Sequence, residues 1–557
     1  MSKLTKFLSL GIDMMQALPE DDPQGASEFF KYRKYMNADK MERALKALKA
    51  YLEKKGIKAP EIPERRAGSA EVTVTSEGKP LLCEVRFYGE EKDNLLTDEY
   101  TPVGRIDFVR KITGEDGKLL TGIPEGFWFV KISKGSEYVS EYRHIEVKAG
   151  ETAEVKAELT RFVNLEKEGY FAGDIHHHSI YSSPVWGGTD DVIESAAEVA
   201  DSMRALGLTY GALSDHHNIL NHKDWKACEK PDFFPIPSKE ISTSNGHVLS
   251  LGVDGFDVIY DIPLGEKRTE DRLRKEFVRI TDEIREKGGL PQLNHPRDLQ
   301  VSISWNRDFY DMTDIFETME IWNGSNPMYF GSTNAKAAMF WRDLLEQGRY
   351  IPATSGSDTH NTRADDYHEM YGEAMRLFKE LGRLSKDELA ELSEFKKELE
   401  SFRFIVGRFM PMLESWAKTT LTSGCVRTYV KLSKGERPNK DNVLSALRSG
   451  HSFLTVGPIL TIDVDGVPMG ETAELKNGTA TVNIGLRSNR KLEKVMLYSA
   501  KGREYTVYLP EKESAPYYDY GTQLKDFVFE DEDYIFAVAS GDVTNLAITN
   551  PVLIRKA

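Results

Sequence analysis

Residues 173–183 read "GDIHHHSIYSS", three histidines in a row directly after an Asp, at what reads as the end of a buried strand. Neighbouring side chains on a strand point to opposite faces, so His176 and His178 share one face and His177 takes the other. Two imidazoles on one face raise the question of a metal. The answer depends on what other segments bring to that face.

The chain has twelve histidines, and nine of them fall between 176 and 360. They cluster just after apolar, strand-like runs, in "GDIHHHS", "ALSDHHN", "LPQLNHPRD" and "ATSGSDTH", while "IPSKEISTSNGHVLSLG" adds Glu240 and His247. Between these runs lie amphipathic helical segments such as "DDVIESAAEVADSMRALG", "TEDRLRKEFVRITDEIREKGG" and "NAKAAMFWRDLLEQG". Helices alternating with short apolar strands indicate a parallel α/β sheet, open or closed into a barrel. In such a barrel the C-terminal strand ends open onto one face, so five separate strand-end clusters converge there. Imidazole and carboxylate ligands together suit Zn²⁺, Mn²⁺ or Fe²⁺. A single histidine beside a strand end is more often a hydrogen-bonded cap, and His177, His217 and His222 are read that way.

The texture differs on either side of this region. "ADKMERALKALKAYLEKKG" places Met41, Leu45, Leu48 and Leu52 at helical spacing and stops at Gly56, ahead of a Pro-rich linker. "AEVTVT", "CEVRFYG", "GFWFVKIS" and "YRHIEVKA" then alternate as strands of an antiparallel sandwich, and "PILTIDVDG", "ATVNIGLRS", "KVMLYSA" and "YIFAVAS" form a second one after residue 457. The expected division is an N-terminal helical segment and linker at 1–66, a sandwich at 67–163, the histidine-bearing domain at 164–456 and a sandwich at 457–557. A mainly helical insertion at 362–418 has two readings. It is a lid that brings His368, Tyr371 and Trp416 near substrate, or it is an outer layer or oligomer contact.

The 557 residues carry a net charge of −16, which excludes nucleic acid or an anionic membrane surface as the primary partner, because phosphate binding needs clustered Lys and Arg. Three scattered cysteines (Cys83, Cys228, Cys425) without a CxxC fit a reducing compartment. Asp13 interrupts the apolar part of "MSKLTKFLSLGIDMMQALPED", and no small-x-small cleavage site follows, so this stretch reads as a helix of a cytoplasmic protein rather than a signal peptide. No apolar run approaches the roughly 20 residues of a membrane-spanning helix.

"GDIHHHS", "LSDHH", "IPSKEIS…GHVLSLG", "NHP" and "GSDTH", in this order, resemble the polymerase and histidinol phosphatase (PHP) metallohydrolase superfamily. The chain more specifically resembles the CehA/McbA-like branch, whose known members include carbamate-cleaving hydrolases. The motifs cover about 166–460; the preceding sandwich resembles a carboxypeptidase-regulatory-like domain. The fold this implies is α/β: a distorted PHP-type (β/α) barrel flanked by two β-sandwich domains and an N-terminal helical segment.

Carried over residue by residue, the resemblance places His176, His178, Glu240 and Asp358 on one metal, with Glu240 bridging to a second held by His247 and His295. Three-metal members hold another ion with residues matching His216 and His360 and with an Asp or His where this chain has Ser183. Serine is a poor ligand, so two divalent ions (Zn, Mn or Fe) are expected, with at most a weak third site.

The implied chemistry is hydrolysis by a metal-bridged hydroxide, with Asp358 taking the nucleophile's proton and His360 and His216 serving the leaving group. Arg297 either recognises an anionic substrate group or pairs with Asp298; Lys239, on a strand beside Glu240, points away from the metals. Few cations adjoin the motifs, which favours a carbamate, amide or ester bond of a small molecule over a phosphoester. The alternatives are a phosphoesterase and a non-enzymatic, metal-stabilised binding module. A homo-oligomer is compatible with all three.

Overall fold

The computed structural model describes residues 35, 37–57, 65–93, 95–96, 108–188, 190, 192–262, 266–298, 303–324, 332–360, 365–419, 422–512, 514–541 and 545–556, with backbone alone for 38, 365–371 and 408–419. The N-terminal stretch read as a helix around residues 1–21 lies outside them. No helix among the described residues is long and apolar enough to cross a membrane.

The protein is mixed α/β, with several sheets. The largest has fifteen strands. One run of it passes from Ala353–Gly356 through Thr318–Asn323, Leu290–Asn294, Gly246–Leu251, Phe234–Thr243, Tyr210–Leu213 and Tyr170–Asp174 to Arg427–Lys431. Every histidine cluster singled out above follows or lies on a strand of this run. The strands Tyr170–Asp174, Tyr210–Leu213 and Phe234–Thr243 are parallel, as are Leu290–Asn294, Thr318–Asn323 and Ala353–Gly356.

The sheet is nevertheless mixed rather than parallel. Gly246–Leu251 runs antiparallel to both neighbours, and Arg427–Lys431 antiparallel to Tyr170–Asp174. The first departure has a local cause: only Ser244 and Asn245 separate the paired residues Thr243 and Gly246, too few for a crossover helix. Gly246, the first residue after the turn, has a φ of +130°, which glycine adopts without strain.

The two halves of the run meet beyond their last strands. Asp358 N donates to His176 O (2.8 Å) and His178 N to Thr359 O (3.0 Å). Gly356 allows this approach, since a Cβ there would stand 2.3 Å from His176 Cβ and 2.7 Å from Glu320 Oε1.

Before this run, two four-stranded sheets pack face to face over a core that includes Val72, Val85, Trp128 and Ile132. After it, the main sheet continues without a break: Ser452–Thr455 pairs with Leu546–Thr549, and a further sheet built on Ile459–Val464 and Thr479–Ser488 shares its core. The helix Ala38–Lys54 buries Met41, Leu45, Leu48 and Leu52, as its spacing requires, against Leu377, Leu381, Phe402 and Ile405 of Asp365–Arg383 and Lys396–Thr419. The insertion and the N-terminal helix therefore form one helical body. The side chains of His368, Tyr371 and Trp416 fall outside the described residues.

Candidate metal centre

The face beyond these strand ends gathers histidines and carboxylates from six segments. Four overlapping groups hold their ligand atoms within 4.8 Å of one another: His176, His178 and Glu240; His176, His295 and Asp358; Glu240, His247 and His295; and His178, Asp190, His216 and His360. Each can hold a metal ion. The nine residues expected in the site include one, Arg297, that belongs to none of these groups.

His176 and His178 face the cluster with ring centroids 5.4 Å apart, while His177 turns away to Ser423 Oγ (Nε2, 2.9 Å) and to the carbonyl of His178 (Nδ1, 2.8 Å). Three imidazoles have their tautomers fixed by partners that can only accept. His176 Nδ1 donates to Glu320 (3.0 Å), and His360 Nδ1 to the carbonyl of Asp358 (2.9 Å). His178 Nδ1 donates to Ser182 Oγ (2.9 Å), whose own hydroxyl is committed to Asp215 (2.7 Å). All three therefore turn Nε2, with its lone pair, toward the cluster.

The hairpin supplies Glu240 and His247. Glu240 and Ser242 share a face, and His247 lies opposite Ser242, so His247 Nδ1 reaches Glu240 Oε1 at 3.1 Å. Lys239 points the other way, to Asp257 and the carbonyl of Val258. Glu240 also meets His295 Nε2 (3.1 Å), Asn294 Nδ2 (2.8 Å) and His216 Nδ1 (3.0 Å), a central position among imidazoles.

The fit to cations rests on two observations. Four buried atoms of the cluster residues, His176 Nε2, His178 Nε2, Glu240 Oε2 and His295 Nδ1, have no hydrogen bond, although such groups are almost always satisfied. The second is charge. Burial would raise Glu240 and Asp358, yet surrounding imidazoles hold both well below the ordinary carboxylate range. Burial would equally lower His216 and His295, yet the nearby carboxylates raise them to about 10 and about 9. Ionised carboxylates here demand positive charge, and divalent ions supply it as protons do. Three of the eight non-glycine residues with positive φ among the described residues lie here, His217, His295 and Asp358, at +63°, +24° and +49°.

Two carboxylates escape the sequence reading. Ser183 joins none of the groups. Instead Asp190 stands 2.9 Å from His216 Nε2 and 3.4 Å from His360 Nε2. The loop folds back so that Asp190 N meets Ser182 O, and Gly188 passes so close that a Cβ would lie 1.9 Å from that carbonyl. The sequence reading had placed Asp190 in a helix, but the helix begins at Ala196 behind a Ser195–Glu198 capping box, a signal legible as "SAAE". Glu320, fully buried in "TMEIWN", accepts from His176 Nδ1, from His295 N (3.0 Å) and from Asn323 Nδ2 (3.1 Å). A lone carboxylate within an otherwise apolar strand was the available signal.

Arg297 lies against Tyr310, donating to its hydroxyl and covering its ring.

No family model matches the chain, and no curated protein matches it. Among solved structures it is similar to the Bacillus anthracis TIE protein, with 18% identity over 23% of this chain and 20% of that one and a TM-score of 0.13. An amidohydrolase from Chromobacterium violaceum, described with bound sulfate and no metal, shares 15% identity over 34% of this chain and 87% of that one, with a TM-score of 0.22. A Bacteroides uniformis beta-glucuronidase shares 9% identity over 89% of this chain and 60% of that one, with a TM-score of 0.17. This chain thus spans a fifth of the first and less than two thirds of the third. TM-scores this low carry no argument about fold or function.

Proposed function

We propose that the protein is a metal-dependent hydrolase of the PHP type, acting on a carbamate, amide or ester bond of a small molecule. The observation that carries this reading is the set of unsatisfied, buried ligand atoms around Glu240. His176, His178, Glu240 and Asp358 would hold one ion and Glu240, His247 and His295 a second. Asp190, His216 and His360 would hold a third, in place of the weak site that Ser183 alone would leave. Divalent ions there supply Lewis acidity, lowering the pKa of a water and polarising the substrate's carbonyl or phosphoryl oxygen.

The chain's own residues account for orientation and proton movement. Asp358 is anchored through Oδ2 to Asn323 (3.1 Å), so Oδ1, 2.9 Å from His178 Nε2, is the oxygen placed to accept a proton. Where that third position is unfilled, His360, its side chain 35% exposed and on the solvent side of the cluster, is the group placed to serve the leaving group. Lys239 is turned away from the cluster and paired with Asp257, which leaves few cations at the site and supports an uncharged acyl bond over a phosphoester. The test is metal content by mass spectrometry together with turnover on carbamate, carboxylester, amide and phosphoester panels. Metal-loaded protein that cleaves only phosphoesters would overturn the choice of bond, and protein purified without metal and unable to acquire it would overturn the whole reading.

A further inference from the structure

A cavity of about 250 Å³ lies where the first sandwich, the central sheet and the C-terminal strands meet. That volume admits a small organic molecule rather than one or two waters. The charged side chains lining it are Arg86, Lys131, Arg427 and Arg490 against the single carboxylate of Glu84, an excess of three positive charges in a chain whose net charge is −16. Serine, threonine and asparagine side chains make up much of the remaining lining.

Arg427 is the informative residue. It is 5% exposed, and its guanidinium donates only to carbonyls, those of Leu206 (2.7 Å) and Gly424 (2.9 and 3.2 Å). Among the described residues no carboxylate pairs with it. A buried charge without a counter-charge is costly, and a bound anion removes the cost. Glu84 does not serve, because it is already shared between Arg86 (2.7 Å) and Arg110 (2.6 Å).

The cavity wall is also tied to the candidate centre. Ser423 and Gly424 both line it. Ser423 Oγ lies 2.9 Å from Nε2 of His177, the residue between His176 and His178. Gly424 N donates to Asp174 Oδ2 (2.8 Å), and Asp174 Oδ1 accepts from Ser357 N (3.0 Å), the neighbour of Asp358. A second path starts at Glu84: Arg110 Nη2 donates to Ser202 Oγ (3.1 Å), which lies 2.9 Å from Ser423 Oγ. Since His177 Nδ1 is committed as a donor to the carbonyl of His178, this buried chain runs in one direction, from Arg110 through Ser202 and Ser423 to His177 Nε2.

We propose that this cavity binds a small hydroxylated anion, a carboxylate or a phosphate, on Arg427, and that its occupancy alters how firmly the neighbouring cluster holds its ions. Binding stands independently of the proposed hydrolase; the coupling rests on the metal reading, and zero metal content before any anion is added would show that reading to have failed first. The test titrates the full-length, metal-loaded protein with inorganic phosphate and, separately, glycerate by calorimetry, and measures metal release to a chromogenic chelator with and without each anion. One saturable site is expected per chain for at least one of the two, weakened tenfold or more in Arg427→Gln and severalfold in the more exposed Arg490→Gln. The anion should change the release rate at least twofold, and Ser423→Ala should bind it but lose that response. No saturable binding of either anion overturns the proposal, and so does binding unchanged in both arginine variants, which places the anion elsewhere, on the metals included. Binding that leaves metal release unaltered overturns the coupling.

Discussion

Replacing Glu320 by Gln tests whether the cluster is a metal site held from behind. Glu320 is fully buried and accepts hydrogen bonds from three directions, His176 Nδ1, His295 N and Asn323 Nδ2. The amide keeps the volume but brings one oxygen and two N–H donors. In either orientation of the amide at least one donor faces another: the NH₂ meets His176 Nδ1–H, or it meets His295 N–H and Asn323. A buried donor left unsatisfied costs about 1–3 kcal/mol, so the fold should weaken measurably and remain folded. The larger effect should appear in ligand geometry. With the carboxylate present, the proton sits on His176 Nδ1 and Nε2 points at Glu240 Oε1 (3.5 Å) and Asp358 Oδ1 (3.3 Å). Losing such a partner typically lowers metal affinity 10- to 100-fold, or about 1.4–2.7 kcal/mol. Competition against a chromogenic chelator reads the affinity, and thermal melts with and without chelator separate it from the cost to the fold. Affinity within twofold of the unmutated protein, in a variant that melts lower by the same amount with chelator and without, would mean that Glu320 is a structural carboxylate only.

Other outcomes follow from the same geometry. Glu240→Gln removes the negative charge around which five imidazole and amide groups are arranged, so metal content and turnover should collapse while circular dichroism stays native; retention of both would remove Glu240 from the site. His176→Ala and His178→Ala should strip metal, and His177→Ala should spare it at a stability cost of roughly 0.5–3 kcal/mol, read by metal analysis and urea unfolding. Asp190→Asn should lower the number of bound ions by one without touching the pair around Glu240, a difference that anomalous scattering resolves. Burial alone would raise the carboxyl of Glu84, but Arg86 and Arg110 hold it at about 2 in the folded chain, against an ordinary 4.5. Its contribution is therefore complete above pH 4.5 and lost as pH falls toward 2, about 3 kcal/mol in all at roughly 1.4 kcal/mol per pH unit. Glu84→Gln should remove that part of the acid sensitivity in melts taken between pH 3 and 6.

The alternation rule was enough to separate His177 from its neighbours, because side-chain direction on an extended segment depends on nothing beyond the segment itself. Strands such as Ala67–Ser76 and Thr479–Ser488, which alternate in burial, were legible for the same reason, and so was the buried stripe of Ala38–Lys54. What the stripe could not reveal is its partner, Phe402 and Ile405 of helices more than 300 residues away, since a stripe encodes a need for burial and not an address. Strand direction was misread where a two-residue hairpin replaced the crossover helix, although Asn245-Gly246 held the signal. Asp190 and Glu320 mark a different limit. One reaches the site only because a glycine-lined loop folds back, and the other neighbours no candidate ligand along the sequence. Both act through distances of about 3 Å set by tertiary closure, which has no period to read. The ligands of a centre are visible in sequence when they end regular elements. The groups that orient those ligands are specified by packing, so they are found by asking which buried carboxylates and imidazoles still lack a partner.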